Sequence, residues 1–237
     1  MQTNIDITKA FLETPNGVLS IHQISKKLNL PYGTAYNRVH QLYEAGIIQM
    51  IQQGKAKLCA LNPENDMTAS ILALGGAQET EKFIKTNNLS GNLLKKIRKV
   101  ILENCRDLIY SAIILTPDML AFAAEPETYN SSDKFSEIDT SSPITLDFLY
   151  IQASSNFDES KFETAISSLM QPGYDIRITS MTVDRDTMLG MFNENENNAG
   201  IAAYKMLQNG LVLYGYENFY SLILEAFTSK LSMSSYD

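Results

Sequence analysis

The chain has 237 residues, enough for one large domain or two ordinary ones. Hydrophobic residues make up 44% of it, ample for buried cores, and no apolar run reaches the roughly 20 residues a membrane-spanning helix needs. A net charge of −8 argues against a nucleic-acid binder taken as a whole, but the charge is unevenly spread. Residues 1–64 hold Lys9, Lys26, Lys27, Arg38, Lys55 and Lys57 against Asp6, Glu13, Glu44 and Glu64, so this segment is +2 and the remainder −10. An acidic body behind a mildly basic head keeps non-specific affinity for a polyanion low. The opening MQTNIDITKAFLETPNG has neither a basic n-region nor an apolar h-region, so no signal peptide is expected. Cys59 and Cys105 show no pairing pattern, which predicts buried thiols in a reducing, cytoplasmic setting.

In chain order, residues 5–14 read as a first helix with Ile7, Phe11 and Leu12 inward. Pro15-Asn16-Gly17 ends it, and Val18-Leu19-Ser20 is a short strand. Ser20 then caps a helix to Leu28 with Ile21, Ile24 and Leu28 as its apolar stripe. Asn29 to Tyr32 is a tight turn, with Leu30 expected to plug the space between two helices. From Leu30 to Gly46 a second helix places Ala35, Val39 and Leu42 on one face and Thr34, Asn37, Arg38 and Gln41 opposite. Pro31 falls in its first turn and Gly46 at its end, positions each residue favours. Tyr36 and Tyr43 are expected to flank the buried seam, and His22 and His40 have no ligand-spaced partners. Runs 47–51 and 56–61 around Gln52-Gln53-Gly54-Lys55 form a hairpin. Asn62 to Asp66 closes the segment with turn residues.

Helix, turn, helix, glycine stop and hairpin in this order resemble the winged helix-turn-helix of MarR- and ArsR-type transcription regulators. The likeness rests on pattern and covers about the first quarter of the chain. It implies a recognition helix over 32–45 and a wing over 47–61. Thr34, Asn37, Arg38 and Gln41 would read bases, with Lys26, Lys27 and Tyr32 on the phosphate backbone. Lys55 and Lys57 would touch backbone or minor groove. Winged helices also serve as protein-binding modules, and a single amphipathic helix is often mere core.

Beyond residue 66, Met67 to Thr86 is helical, with a bend or break expected at Gly75-Gly76. A further helix from Ser90 buries Leu93 or Leu94, Ile97, Ile101 and Cys105. Lys95, Arg98 and Lys99 share another face, either solvated or a second phosphate or partner contact. Strands follow at 108–115, 145–151 and 174–179, with a helix over 157–170 between the last two. Helices at 184–192 and 199–210 precede a short strand, Leu211 to Tyr214. Residues 126–143 are polar and serine-rich, a long exposed loop. The expected class is α+β, as a winged helix (1–65), a helical linker (66–90) and an α/β mixed-sheet domain (91–237).

The order of elements over 91–228, closing on Asn209-Gly210-Leu211-Val212-Leu213-Tyr214-Gly215, resembles a minimal nucleotidyltransferase domain of the DNA polymerase β type. Active members of that group hold triphosphate on a Gly-Ser turn after the first strand. They bind two Mg²⁺ ions with an Asp-x-Asp entering the second strand and a third carboxylate beyond. Here Thr116-Pro117 stands in the turn, and the two metal positions align with Pro143 and Thr145. Asp139, Asp147, Asp175 and Arg177 remain nearby. The expectation is therefore a non-catalytic domain, with no metal and no cofactor.

Together these readings predict a DNA-binding regulator, acting on double-stranded DNA as a homodimer. The C-terminal domain would serve dimerisation, a small-molecule effector or a protein partner. Two alternatives stand beside it. One is an active nucleotidyltransferase using Asp139, Asp147 and Asp175 in an unusual register. The other is an antitoxin-like module that binds a protein partner.

Overall fold

The computed structural model describes residues 1–14, 17–53, 56–120, 123, 144–170, 176–193 and 209–233. These form an α+β chain of eight α-helices and seven strands in two sheets. Among them no helix is long and apolar enough to cross a membrane.

By its contacts the chain divides into two compact units, and the division does not follow chain order. Residues 1–76, 188–193 and 216–233 form the first; 77–187 and 209–215 form the second. The boundary thus falls within one helix, and the closing helix belongs with the N-terminal unit.

The first unit opens with α1 (Gln2–Leu12), which buries Ile5, Ile7, Phe11 and Leu12. Strand β1 (Val18–Ser20) leads directly into α2 (Ile21–Lys27). The Ser20 hydroxyl accepts from the Gln23 N–H at 3.2 Å, and the Gln23 side chain accepts from the Ser20 N–H at 2.8 Å. This reciprocal pair satisfies orphan donors at the helix start. Asn29, at φ +50°, ends α2, with the Leu30 N–H bonded to the Ser25 carbonyl at 2.9 Å. Asparagine tolerates this left-handed backbone better than most residues, which is why the turn can be so short. Helix α3 (Tyr32–Glu44) follows. Pro31 sits one position outside it as the extended N-cap, its carbonyl accepting from the Thr34 and Ala35 amides at 2.9 and 3.0 Å.

Ala35, Val39 and Leu42 of α3 are buried, as their spacing requires. Gly46 stops the helix at φ +72°, with the Ile47 N–H reaching the Leu42 carbonyl at 2.9 Å. Asn62 and Asn65 then bond the Gly46 and Ala45 carbonyls at 2.8 and 3.0 Å, so the helix end is held from the far side of the hairpin. That hairpin is β2 (Ile48–Gln53) and β3 (Ala56–Leu61). Strand β1 joins it antiparallel to β3, giving the order β1-β3-β2.

Helix α4 (Asp66–Thr86) runs as one 21-residue helix through Gly75 and Gly76, where the sequence suggested a bend. Packing explains the glycines instead. A Cβ at Gly75 would lie 2.7 Å from Ile5 Cγ2, and one at Gly76 would lie 2.7 Å from the Tyr220 ring. Their small size lets α1 and the closing helix α8 (Tyr216–Met233) lie close to α4. The Ser70 hydroxyl donates to Glu217 at 2.8 Å along the same contact.

The second unit is built on a sheet of order β6-β5-β4-β7. Strand β4 (Ile109–Ile114) is antiparallel to β5 (Ile144–Gln152) and to β7 (Leu211–Tyr214). Strand β6 (Ile176–Val183) runs parallel to β5 and is joined to it through α6 (Glu159–Ser167). Helices α5 (Asn88–Asn104) and α6 cover one face. Leu94, Ile97 and Ile101 of α5 and Phe162 and Ile166 of α6 meet Leu146, Phe148 and Tyr150 of β5 in a single core. Alternation along β5 sends Thr145 and Asp147 to the opposite face. Gly215, at φ +68°, closes β7. A Cβ there would stand 1.8 Å from the Tyr110 carbonyl oxygen, so no other residue fits. Helix α7 (Arg185–Asn193) follows β6. The helix expected at 199–210 and the loop at 126–143 lie outside the described residues, except for Asn209 and Gly210.

Candidate nucleic-acid interface

Helix α3 turns its polar residues outward. Thr34, Asn37 and Gln41 are exposed, while Arg38 is half-buried and donates to Gln41 Oε1 at 2.9 Å. Successive residues step by about 100° around a helix. Thr34, Arg38 and Gln41 therefore form one stripe, with Asn37 beside it on the most outward line. Tyr32, at the start of the helix, is 53% exposed. Lys26 and Lys27 are exposed in the last turn of α2, and Lys27 is paired with Glu13 at 3.1 Å. Lys57 is exposed on β3, opposite Gln52 of β2. Lys55 lies outside the described residues.

The helix carries a second stripe beside its buried line. Tyr36 and Tyr43, expected to flank the buried seam, lie at its side and are 43% and 47% exposed. With Tyr32 and His40 they form a ladder of rings. The centroids are 6.3 Å apart for Tyr32–Tyr36, 4.3 Å for Tyr36–His40 and 6.5 Å for His40–Tyr43. Ala35, Val39 and Leu42 occupy the inward face, and the rings lie to one side of it. The 4-4-3 spacing of these aromatics was legible in the sequence as an i, i+4 row.

On the sheet of the second unit, polar groups are tied to one another. Thr145 faces Arg177 and Asp147 faces Thr179 across the parallel β5–β6 pair. The Thr179 hydroxyl donates to Asp147 Oδ1. The Thr116 hydroxyl, at the place of the expected phosphate turn, accepts from the Asp147 N–H at 2.9 Å. On the opposite face of β6 the Ser180 and Thr182 hydroxyls donate to Glu163 and Glu159 of α6, the latter at 2.6 Å. Asp139 and Asp175 lie outside the described residues, within which no three His, Cys, Asp or Glu come together as a metal site. Burial pushes the Cys59 thiol up, and that of Cys105 to about 11, so both are poor nucleophiles near neutral pH. No protein-family model, no curated protein and no solved structure matches this chain.

Proposed function

We propose that this chain is a sequence-specific DNA-binding regulator whose first unit is a winged helix, with α3 lying in the major groove and the β2–β3 hairpin as its wing. The observation that carries this reading is the composition of the outward side of α3. Its exposed positions hold amides, hydroxyls, aromatic rings and one carboxylate, and no aliphatic side chain. Such a surface is suited to base edges, which offer paired donors and acceptors in the major groove. Asn37 and Gln41 can each bond an adenine through N6 and N7, and Arg38 a guanine through O6 and N7. Thr34 bonds any base edge within reach. Lys26, Lys27 and Tyr32 hold the phosphate backbone beside α3, and Lys57 with Lys55 hold it from the hairpin. Because recognition of two half-sites multiplies affinity, the regulator is proposed to act as a homodimer in the cytoplasm.

The second unit, in this reading, is a nucleotidyltransferase-like domain without transferase chemistry that supplies dimerisation, an effector site or a partner surface. Its antiparallel β4–β5 pair and parallel β5–β6 crossover support that likeness. Pro143 and Thr145 at the two expected metal-carboxylate positions, and Thr116 engaged with β5, support the loss of activity.

The test is selection of duplexes from a random pool at two salt concentrations, with Arg38→Ala and Lys57→Ala alongside. The expected outcome is an enriched site, with Arg38→Ala flattening base preference and Lys57→Ala lowering the salt slope by about 1. Absence of any enriched duplex at low salt would overturn the reading. Transfer of a nucleotide with Mg²⁺, abolished by Asp147→Ala, would establish the enzymatic alternative instead.

A further inference from the structure

We infer that the ring pair Tyr36–His40 reads thymine, so that the duplex this chain selects is built around A·T pairs. The inference rests on the DNA-binding reading above and names the bases that α3 meets. Its ground is the order of side chains around the helix. Starting from the buried line of Ala35, Val39 and Leu42, the tyrosines come first, then His40, then Glu44 in the last turn, then Asn37 and then Gln41. In the middle of the helix, away from Glu44, His40 is the ring beside Asn37, three residues apart, so a ring and an amide face the same stretch of groove in this reading.

An adenine offers an amide the matched acceptor and donor at N7 and N6. Its partner thymine projects a 5-methyl group into the same groove, and that methyl is read by apolar contact. A surface with amides beside rings is thus complementary to both members of an A·T pair. Against a G·C pair the amides lose their bidentate partner and the rings have no methyl to cover.

The ring pair is also built to hold its place. Tyr36 and His40 are 4.3 Å apart, centroid to centroid, at an interplanar angle of 42°. Tyr32 and Tyr43 sit at either end of the pair, 6.3 and 6.5 Å away. Each ring limits the rotamers of its neighbour, so little freedom is lost on contact with a base.

A protein partner is the competing occupant, since tyrosine is enriched at protein interfaces. The exposed part of α3 has no leucine, isoleucine, valine or methionine to fill a partner's pocket. Exposed Lys26 on the preceding helix favours a polyanion, while Lys27 beside it is paired with Glu13.

The duplex enriched from the random pool is resynthesised with deoxyuridine in place of thymidine, which removes only the methyl groups. Wild-type protein is expected to bind the uracil duplex about 3- to 10-fold more weakly. Tyr36→Ala is expected to bring that ratio close to one, whereas Tyr36→Phe and Asn37→Ala keep it. Equal binding of the two duplexes by wild-type protein would overturn the inference while leaving the DNA reading intact. So would an unchanged ratio in Tyr36→Ala, or a change in oligomeric state of the free Tyr36→Ala protein with the ratio preserved. Failure to enrich any duplex would remove the DNA reading itself and this inference with it.

Discussion

Helix α3 and strand β6 are both lined with polar side chains, and they use them in opposite ways. On β6, Thr179, Ser180 and Thr182 each donate to a carboxylate on the neighbouring strand or helix. Those hydroxyls and carboxylates satisfy one another and fix the register of β6 on β5 and α6. On α3 the one bond between outward side chains is Arg38 to Gln41, and among the described residues Thr34 and Asn37 bond nothing with their side chains. Polar groups that fold leaves without protein partners are available to a ligand; those it pairs are structural. By this comparison the outward polar side chains of α3 stand largely unbonded to one another, whereas those of β6 are tied to neighbouring carboxylates.

The comparison can be broken or sharpened in three steps of decreasing effect. Leu42→Ala removes a fully buried side chain behind the outward face of α3 and is expected to cost about 2–5 kcal/mol. Asn37→Ala, on the other side of the same helix, should leave the melting transition within about 0.5 kcal/mol of wild type. A large loss of stability in Asn37→Ala would mean that the outward face is structural after all.

Thr179→Val keeps the shape of the strand but takes the hydroxyl from Asp147. It is expected to destabilise the protein by about 1–3 kcal/mol, measured by denaturant unfolding. A neutral result would show that Asp147 is not held by the fold and would return it to the candidates for chemistry.

The third step concerns Cys105, which lies in the core of the second unit. Burial raises its thiol from an ordinary 9.0 to about 11, so the folded state favours the protonated form. Its contribution to stability is complete below about pH 9 and is lost as pH rises through about 11. Alkylation followed by mass spectrometry at pH 8 should leave Cys105 unmodified until the protein unfolds. Rapid labelling of native protein would place the thiol outside the core.

Much of the local structure of the first unit was legible in the sequence. Ala35, Val39 and Leu42 announced the buried face of α3 because a helix repeats every 3.6 residues whatever surrounds it. Ser20, Asn29 and Gly46 marked the ends of α2 and α3 because capping depends on residues within a few positions of one another.

What required the tertiary structure was every feature that depends on residues distant in sequence. Gly75-Gly76 reads as a helix breaker in isolation, yet Ile5 and Tyr220 approach so closely that only glycine fits inside an unbroken α4. Tyr36 and Tyr43 lie near the edge of the apolar stripe, and only the folded unit decided how far each ring is exposed. The partner of Asp147 could not be named until the parallel register of β5 and β6 set Thr179 opposite it. Nor does chain order reveal that α8, the last helix, completes the first unit. Local periodicity and capping are short-range physics and are written in consecutive residues. Close packing and strand register are settled by the competition of remote segments for the same space.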